Sequence, residues 1–196
     1  MHQLKIKVSL EIVKIHKIDN FFDNPDEIRE CALKMDFDEP LPIHGWHGIR
    51  ATPKDRIVAG VDLEKMISEE VSFRIPNFTY DEMDLYFHIT PEEVRNHFDT
   101  ETFEEASKHY DSNDSRIVGL VYLTPNPSPN SGTSFFDDMG NKIGEAENVY
   151  NRMVMYPADI LHGPTNPFGD TKENGRLTLV FFLKRYENRV TASNSK

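Results

Sequence analysis

The segment "GRLTLVFFLKRY", Gly175 to Tyr186, is the most convincing β-strand in this chain. Branched and aromatic residues fill it almost without interruption, and a turn-forming stretch precedes it. Five other segments alternate or run apolar in the same manner: "VSFRI", "MDLYFHIT", "SRIVGLVYLT", "SGTSFF" and "YNRMVMYP". Short strands separated by turn chemistry must bury their apolar sides against one another, which predicts a double-sheet jelly roll for the back half. "TPNPSPNSGT" is too broken by proline for regular structure and reads as a loop, as does "ADILHGPTNPFGDTKEN".

The first third reads differently. "LKIKVSLEIVKI" (4–15) alternates as an opening strand or hairpin. "NPDEIRECALKM" carries a helix start, with Asn24 as cap, Pro25 at the first position and Asp26 and Glu27 in the first turn. Its apolar face is Ile28, Cys31, Ala32 and Met35. "GWHGIRA" reads as a short strand, "DLEKMISEE" as a second helix, and "PEEVRNHFDTETFEEASKHY" as helix or helix plus loop. The expected class is therefore α+β, one domain over 1–186: a supporting region over about 1–83, a jelly-roll core over about 84–186 with helices packed outside, and a flexible tail at 187–196.

Composition narrows the functions available. A chain of 196 residues is long enough for a real core, and 13 Phe point to an aromatic interior. The formal charge of −11 repels phosphate backbones, so nucleic acid is a poor partner. No apolar run is long enough for a membrane span, and the lysine-studded N-terminus lacks a signal-peptide core, so the expected location is cytoplasmic. The single Cys31 excludes an intramolecular disulfide and a cysteine-based zinc site; inside a helix it reads as a small hydrophobe.

"KHYD" places His109 and Asp111 two apart just before a strand. With 8 His and 33 acidic residues, about one His-x-acid triplet is expected by chance. A rival, "HFD" at His97–Asp99, sits in a segment that reads as a surface helix and is better explained as solvated. On a strand, i and i+2 share one face, so His109 and Asp111 can reach one ion. His162 in "DILHGP" is the only later histidine and must come from another strand. Two histidines and a carboxylate with open positions are the ligand set of non-heme Fe(II) oxygenases, leaving room for a bidentate oxo-acid and then dioxygen.

The order "HYD … LVYLT … SGTSFF … NRMVMYPADILHG … GRLTLVFF" resembles the 2-oxoglutarate- and Fe(II)-dependent oxygenase superfamily, closest to its small prolyl-hydroxylase-like members. The resemblance covers roughly 84–186, and "IDNFFDNPDEIRECAL" resembles the helical opening such proteins carry. It implies a double-stranded β-helix core, Fe(II), 2-oxoglutarate as cosubstrate, and hydroxylation of an unactivated C–H bond in a peptidyl side chain or small molecule. His109, Asp111 and His162 would hold the iron and form the catalytic centre. Arg176 would meet the distal carboxylate of oxoglutarate, a geometry suited to guanidinium. Thr178 follows on the same face, and Tyr122 lies where relatives supply a phenol, although a core aromatic explains Tyr122 equally well. Asp111 stands where halogenating relatives have a small residue, which favours hydroxylation. The helical insertion ahead of "HYD" departs from the family pattern.

"HGWHGIRA" offers Trp46, His47 and Arg50 as a wall of the substrate pocket; an aromatic strand packing on the sheet is the plainer account. Two further functions stay open on these residues. One is a non-catalytic jelly-roll binding module, against which the intact quartet of His109, Asp111, His162 and Arg176 argues. The other is oxidative nucleic-acid dealkylation, which the charge disfavours.

Overall fold

The computed structural model describes residues 15–38, 48–90, 107–111 and 114–186. Its first half holds β1 (His16–Ile18), α1 (Pro25–Leu33), β2 (Ile49–Ala51), the hairpin strands β3 (Ile57–Val58) and β4 (Val61–Asp62), α2 (Leu63–Arg74) and β5 (Glu82–Thr90). The second half is all strand: β6 (Ser115–Tyr122), β7 (Thr133–Phe136), β8 (Lys142–Ala146), β9 (Met153–Pro157), β10 (Leu161–Pro164) and β11 (Arg176–Lys184). The stretches holding "LKIKVSLEIVK", Trp46, His47, His97, Asp99 and the 187–196 tail lie outside the described residues.

Strand β11 organises the molecule. It runs antiparallel to β5 on one side, from Arg176 opposite Thr90 to Lys184 opposite Glu82, and to β6 on the other. The full sheet has the order β1-β9-β6-β11-β5-β2. Alternation sends Leu177, Leu179, Phe181 and Leu183 to one face, where they pack with Met83, Leu85, Phe87 and Ile89 of β5 and with the helices. The opposite face carries Arg176, Thr178, Val180 and Phe182 and looks into the space between sheets. Both faces are buried, which explains why β11 reads as an unbroken apolar run. Gly119 of β6 sits under the Phe181 ring; a Cβ there would lie 2.2 Å from Cζ, so only glycine lets these two strands hold their spacing.

The helices seal the outer face. Helix α1 docks through Ile28 and Ala32, with Cys31 half-buried beside them. Its Asn24 side chain makes no cap hydrogen bond, although Pro25, Asp26 and Glu27 occupy the first turn as expected. In α2, Asp62 Oδ1 accepts the Lys65 N–H at 3.0 Å and caps the helix. Here the structure corrects one expectation: "VSFRI" is not a strand, because α2 continues through Arg74. Leu63, Ile67 and Val71 form one buried i, i+4 stripe, and the next turn of that stripe outweighs the β-preference of Val71 and Phe73.

A second sheet, β10-β7-β8, faces the first. Val118, Leu120, Tyr122, Phe135, Val154, Tyr156 and Phe182 form the core between them. Residues 107–111 extend this sheet: His109 exchanges both backbone hydrogen bonds with His162, at 2.9 and 3.1 Å. The two antiparallel sheets with outer helices make an α+β double-stranded β-helix. Strands β8 and β10 have no counterpart in the strand patterning, because "KIGEA" is half-exposed and "LHGP" is short and ends in Gly-Pro.

Candidate functional site

His109 and His162 are brought together by backbone pairing, and Asp111 N–H reaches the Ala158 carbonyl at 3.3 Å, which anchors the third residue beside them. Gly163 permits the approach: a Cβ there would stand 2.8 Å from the Ser107 carbonyl. The side chains converge so that one donor atom from each of His109, Asp111 and His162 lies within 4.8 Å of the others. His162 Nε2 is 3.4 Å from one Asp111 oxygen, and His109 Nε2 is 3.9 Å from the other.

The orientation of both rings is set from behind. His109 Nδ1–H donates to the Ser107 carbonyl at 2.7 Å, and His162 Nδ1–H donates to the Ile160 carbonyl at 2.9 Å. A carbonyl only accepts, so each ring carries a proton on Nδ1 and turns its Nε2 toward Asp111. Tyr156 packs 4.7 Å from the His162 ring and fixes it further.

Electrostatics sharpen the point. Burial, with His109 nearby, drives the His162 pKa down to about 3, so the ring is neutral and its contact with Asp111 is no ion pair. Burial lifts the Asp111 carboxyl to about 7, and the Arg50 guanidinium opposes that rise. Asp111 Oδ2 is buried without a hydrogen-bond partner. Three acceptors thus face one another, with the Asp111 and His162 side chains buried and His109 partly open to solvent, an arrangement that costs free energy until a cation joins them. A nitrogen–nitrogen–oxygen set of this kind suits a first-row divalent ion.

Arg176, at the start of β11, is 3% exposed. Its Nε donates to the Ser131 carbonyl at 2.9 Å, its Nη2 to the Gly132 carbonyl at 3.3 Å and to Thr133 Oγ1 at 3.5 Å. The guanidinium carbon sits 5.4 Å from the Tyr122 ring centre. Tyr122 is fully buried; its hydroxyl pairs with Thr133 Oγ1 at 2.8 Å and lies 3.2 Å from the Ala146 carbonyl. Among the described residues no carboxylate pairs with Arg176: the groups whose charge favours its cation are Tyr122 and Tyr156. A buried guanidinium served only by neutral acceptors keeps its charge uncompensated, so an anion placed beside it would be stabilised. Thr178, fully buried two residues on, bonds weakly to the His88 carbonyl at 3.4 Å.

Of the three rim candidates only Arg50 is described. It pairs with His88 across β2 and β5, and Arg50, His88, Thr178 and Tyr122 occupy one cross-strand row on the inward face. Its guanidinium lies 4.2 Å over the Tyr86 ring. Thr133, Tyr86 and Tyr156 belong to this neighbourhood and carry no sequence signal, since threonine and tyrosine in strands are ordinary.

No family model matches the chain, and no curated protein does. Solved structures do match. A prolyl-4-hydroxylase from Pseudomonas putida superposes with a TM-score of 0.59 over 90% of this chain and 95% of that one, at 12% identity. A prolyl hydroxylase from Trichoplax adhaerens, solved with a hypoxia inducible factor peptide fragment, gives 0.60 over 92% and 87%, at 13% identity. An oxidoreductase of the 2OG-Fe(II) oxygenase family from Burkholderia pseudomallei gives 0.53 over 89% and 84%, at 12% identity. The fold of this chain is therefore the jelly roll of the 2-oxoglutarate- and Fe(II)-dependent oxygenases.

Proposed function

We propose that this chain is an Fe(II)- and 2-oxoglutarate-dependent dioxygenase that hydroxylates an unactivated C–H bond. The carrying observation is the pairing of two complementary receptors in one interior. His109, Asp111 and His162 present three converging lone-pair donors, and Arg176 supplies a buried cation for the far carboxylate of a diacid. When bound, iron and oxoglutarate supply the oxidising chemistry, with dioxygen consumed and succinate and carbon dioxide released. The chain's own residues do the rest. The Ser107 and Ile160 carbonyls hold both imidazoles in the ligating tautomer. Tyr122 and Thr133 orient Arg176, and Thr178 lines the same face. Phe135, Tyr156 and Phe182 keep water from the interior, which preserves the strength of every charge interaction there.

The substrate on this reading is a peptidyl side chain or a small molecule. The test is oxoglutarate turnover by the purified chain supplied with Fe(II), ascorbate and air, with succinate quantified. Succinate release that requires added Fe(II) and is lost in Asp111→Ala supports the reading. Stoichiometric metal binding with no oxoglutarate consumption would instead favour a jelly-roll binding module.

A further inference from the structure

Resting on the dioxygenase reading above, we propose that Thr90 is a further cosubstrate-binding residue, whose hydroxyl donates to the far carboxylate of oxoglutarate beside Arg176. Thr90 ends β5 directly opposite Arg176 on β11. Residues paired across antiparallel strands send their side chains to the same face, with Cβ atoms about 5 Å apart. Thr90 therefore shares the inward face with Arg176 and Thr178.

Its hydroxyl differs from the others on this wall. Thr90 is 0% exposed, and among the described residues its Oγ1 has no hydrogen-bond partner. The hydroxyls around it are all engaged. Thr124 Oγ1 donates to the Gly175 carbonyl at 2.7 Å, Thr133 Oγ1 pairs with the Tyr122 hydroxyl at 2.8 Å, and Thr178 Oγ1 donates to the His88 carbonyl at 3.4 Å. Nor does Arg176 serve Thr90, since its hydrogen bonds go to Ser131, Gly132 and Thr133. A buried, unmet hydroxyl costs free energy that a bound acceptor recovers.

Position and chemistry name the acceptor. Tyr86, His88 and Thr90 are successive inward residues of β5, opposite Val180, Thr178 and Arg176. The Asp111 charge is felt at Tyr86, so this row runs from the metal-ligand side of the interior to Arg176. A diacid held by the metal at one end and by Arg176 at the other therefore ends beside Thr90. A carboxylate has room for about four hydrogen bonds, more than one edge of a guanidinium supplies. Thr90 Oγ1 can donate one of the remainder.

The test uses Mn(II)-loaded protein without oxygen, with oxoglutarate binding measured by calorimetry and melting followed on the empty protein. Thr90→Val keeps the shape of the side chain and removes the hydroxyl. Expected is oxoglutarate bound about tenfold more weakly, as for one hydrogen bond to a charged group, with Mn(II) affinity unchanged. The empty Thr90→Val protein should melt at or above the wild-type temperature, because the hydroxyl it lacks was unmet there. Thr90→Ser, which restores a hydroxyl, should bind oxoglutarate within about threefold of wild type. Undiminished binding by Thr90→Val, equal weakening in both variants, or a weakened Thr90→Val whose empty form melts lower would overturn the proposal. A crystal of the wild-type complex with Mn(II) and oxoglutarate decides without variants. Thr90 Oγ1 within about 3.5 Å of a far-carboxylate oxygen supports the proposal, and a longer separation from both oxygens overturns it. Failure of the wild type to bind Mn(II) or oxoglutarate at all would overturn the dioxygenase reading itself, a separate and earlier result.

Discussion

His162 shows how much of the candidate site a single residue carries. It is 4% exposed, bridged to His109 by backbone, and oriented by the Ile160 carbonyl at 2.9 Å. Replacing it with alanine removes one of three donors but keeps the backbone pairing. We expect His162→Ala to bind Mn(II) at least tenfold more weakly while circular dichroism shows an intact fold; undiminished binding would move the metal elsewhere. Arg176 makes the matching case for the cosubstrate. Arg176→Ala should weaken oxoglutarate binding by about 2–5 kcal/mol, the cost of breaking a desolvated charge pair. Calorimetry on the Mn(II)-loaded protein measures this, and unchanged affinity would exclude Arg176 from the site. The convergence of His109, Asp111 and His162 was readable from the order of the motifs, since the His-x-Asp triplet by itself is expected by chance. Thr133 was not, because its value lies in facing Arg176 and Tyr122 across two sheets, a pairing that only the register creates.

Among elements, β11 bears the greatest load. Phe181 is fully buried over Gly119 within the cluster between sheet and helices. Phe181→Ala should destabilise the chain by about 3–5 kcal/mol in urea unfolding, since strands on both sides limit collapse of the cavity; a loss under about 1 kcal/mol would mean that β11 is not central. Elements whose periodicity agrees with burial were readable in advance, as β5, β6, β9, β11 and α1 were. The failures have physical causes. "VSFRI" carries strand-preferring residues on a helix whose buried stripe continues, and "KIGEA" is a strand with too little buried surface to show alternation. Strand β1 is joined to β9 by Arg152, whose Nε and Nη2 meet the two Asp19 oxygens at 2.5 and 3.1 Å. This contact depresses the Asp19 pKa, so its stabilisation is complete above the ordinary carboxylate range and fades as pH falls through the lowered value. Asp19 is largely exposed, so Asp19→Asn should cost only about 0.2–1 kcal/mol at pH 7. The difference from wild type should vanish in acid, and a difference that persists there would assign it to something other than charge.

For the whole molecule, the acidic charge and the jelly roll point the same way. Among the described residues, the inward side chains Arg176 and Thr178 of β11 and the ring of His162 are buried. Among the described residues no helix is long and apolar enough to cross a membrane. The architecture was legible from the succession of strands, whereas the helices' place on the outer face of the larger sheet needed the structure, because amphipathic helices do not announce which sheet face they cover. The central claim is that one interior binds a metal and a diacid together. An anaerobic crystal structure with Mn(II) and 2-oxoglutarate tests it most directly. The account predicts one ion coordinated by His109 Nε2, the Asp111 carboxylate and His162 Nε2, chelated by oxoglutarate whose far carboxylate meets Arg176. An ion at His97 and Asp99, or oxoglutarate bound away from Arg176, would contradict it.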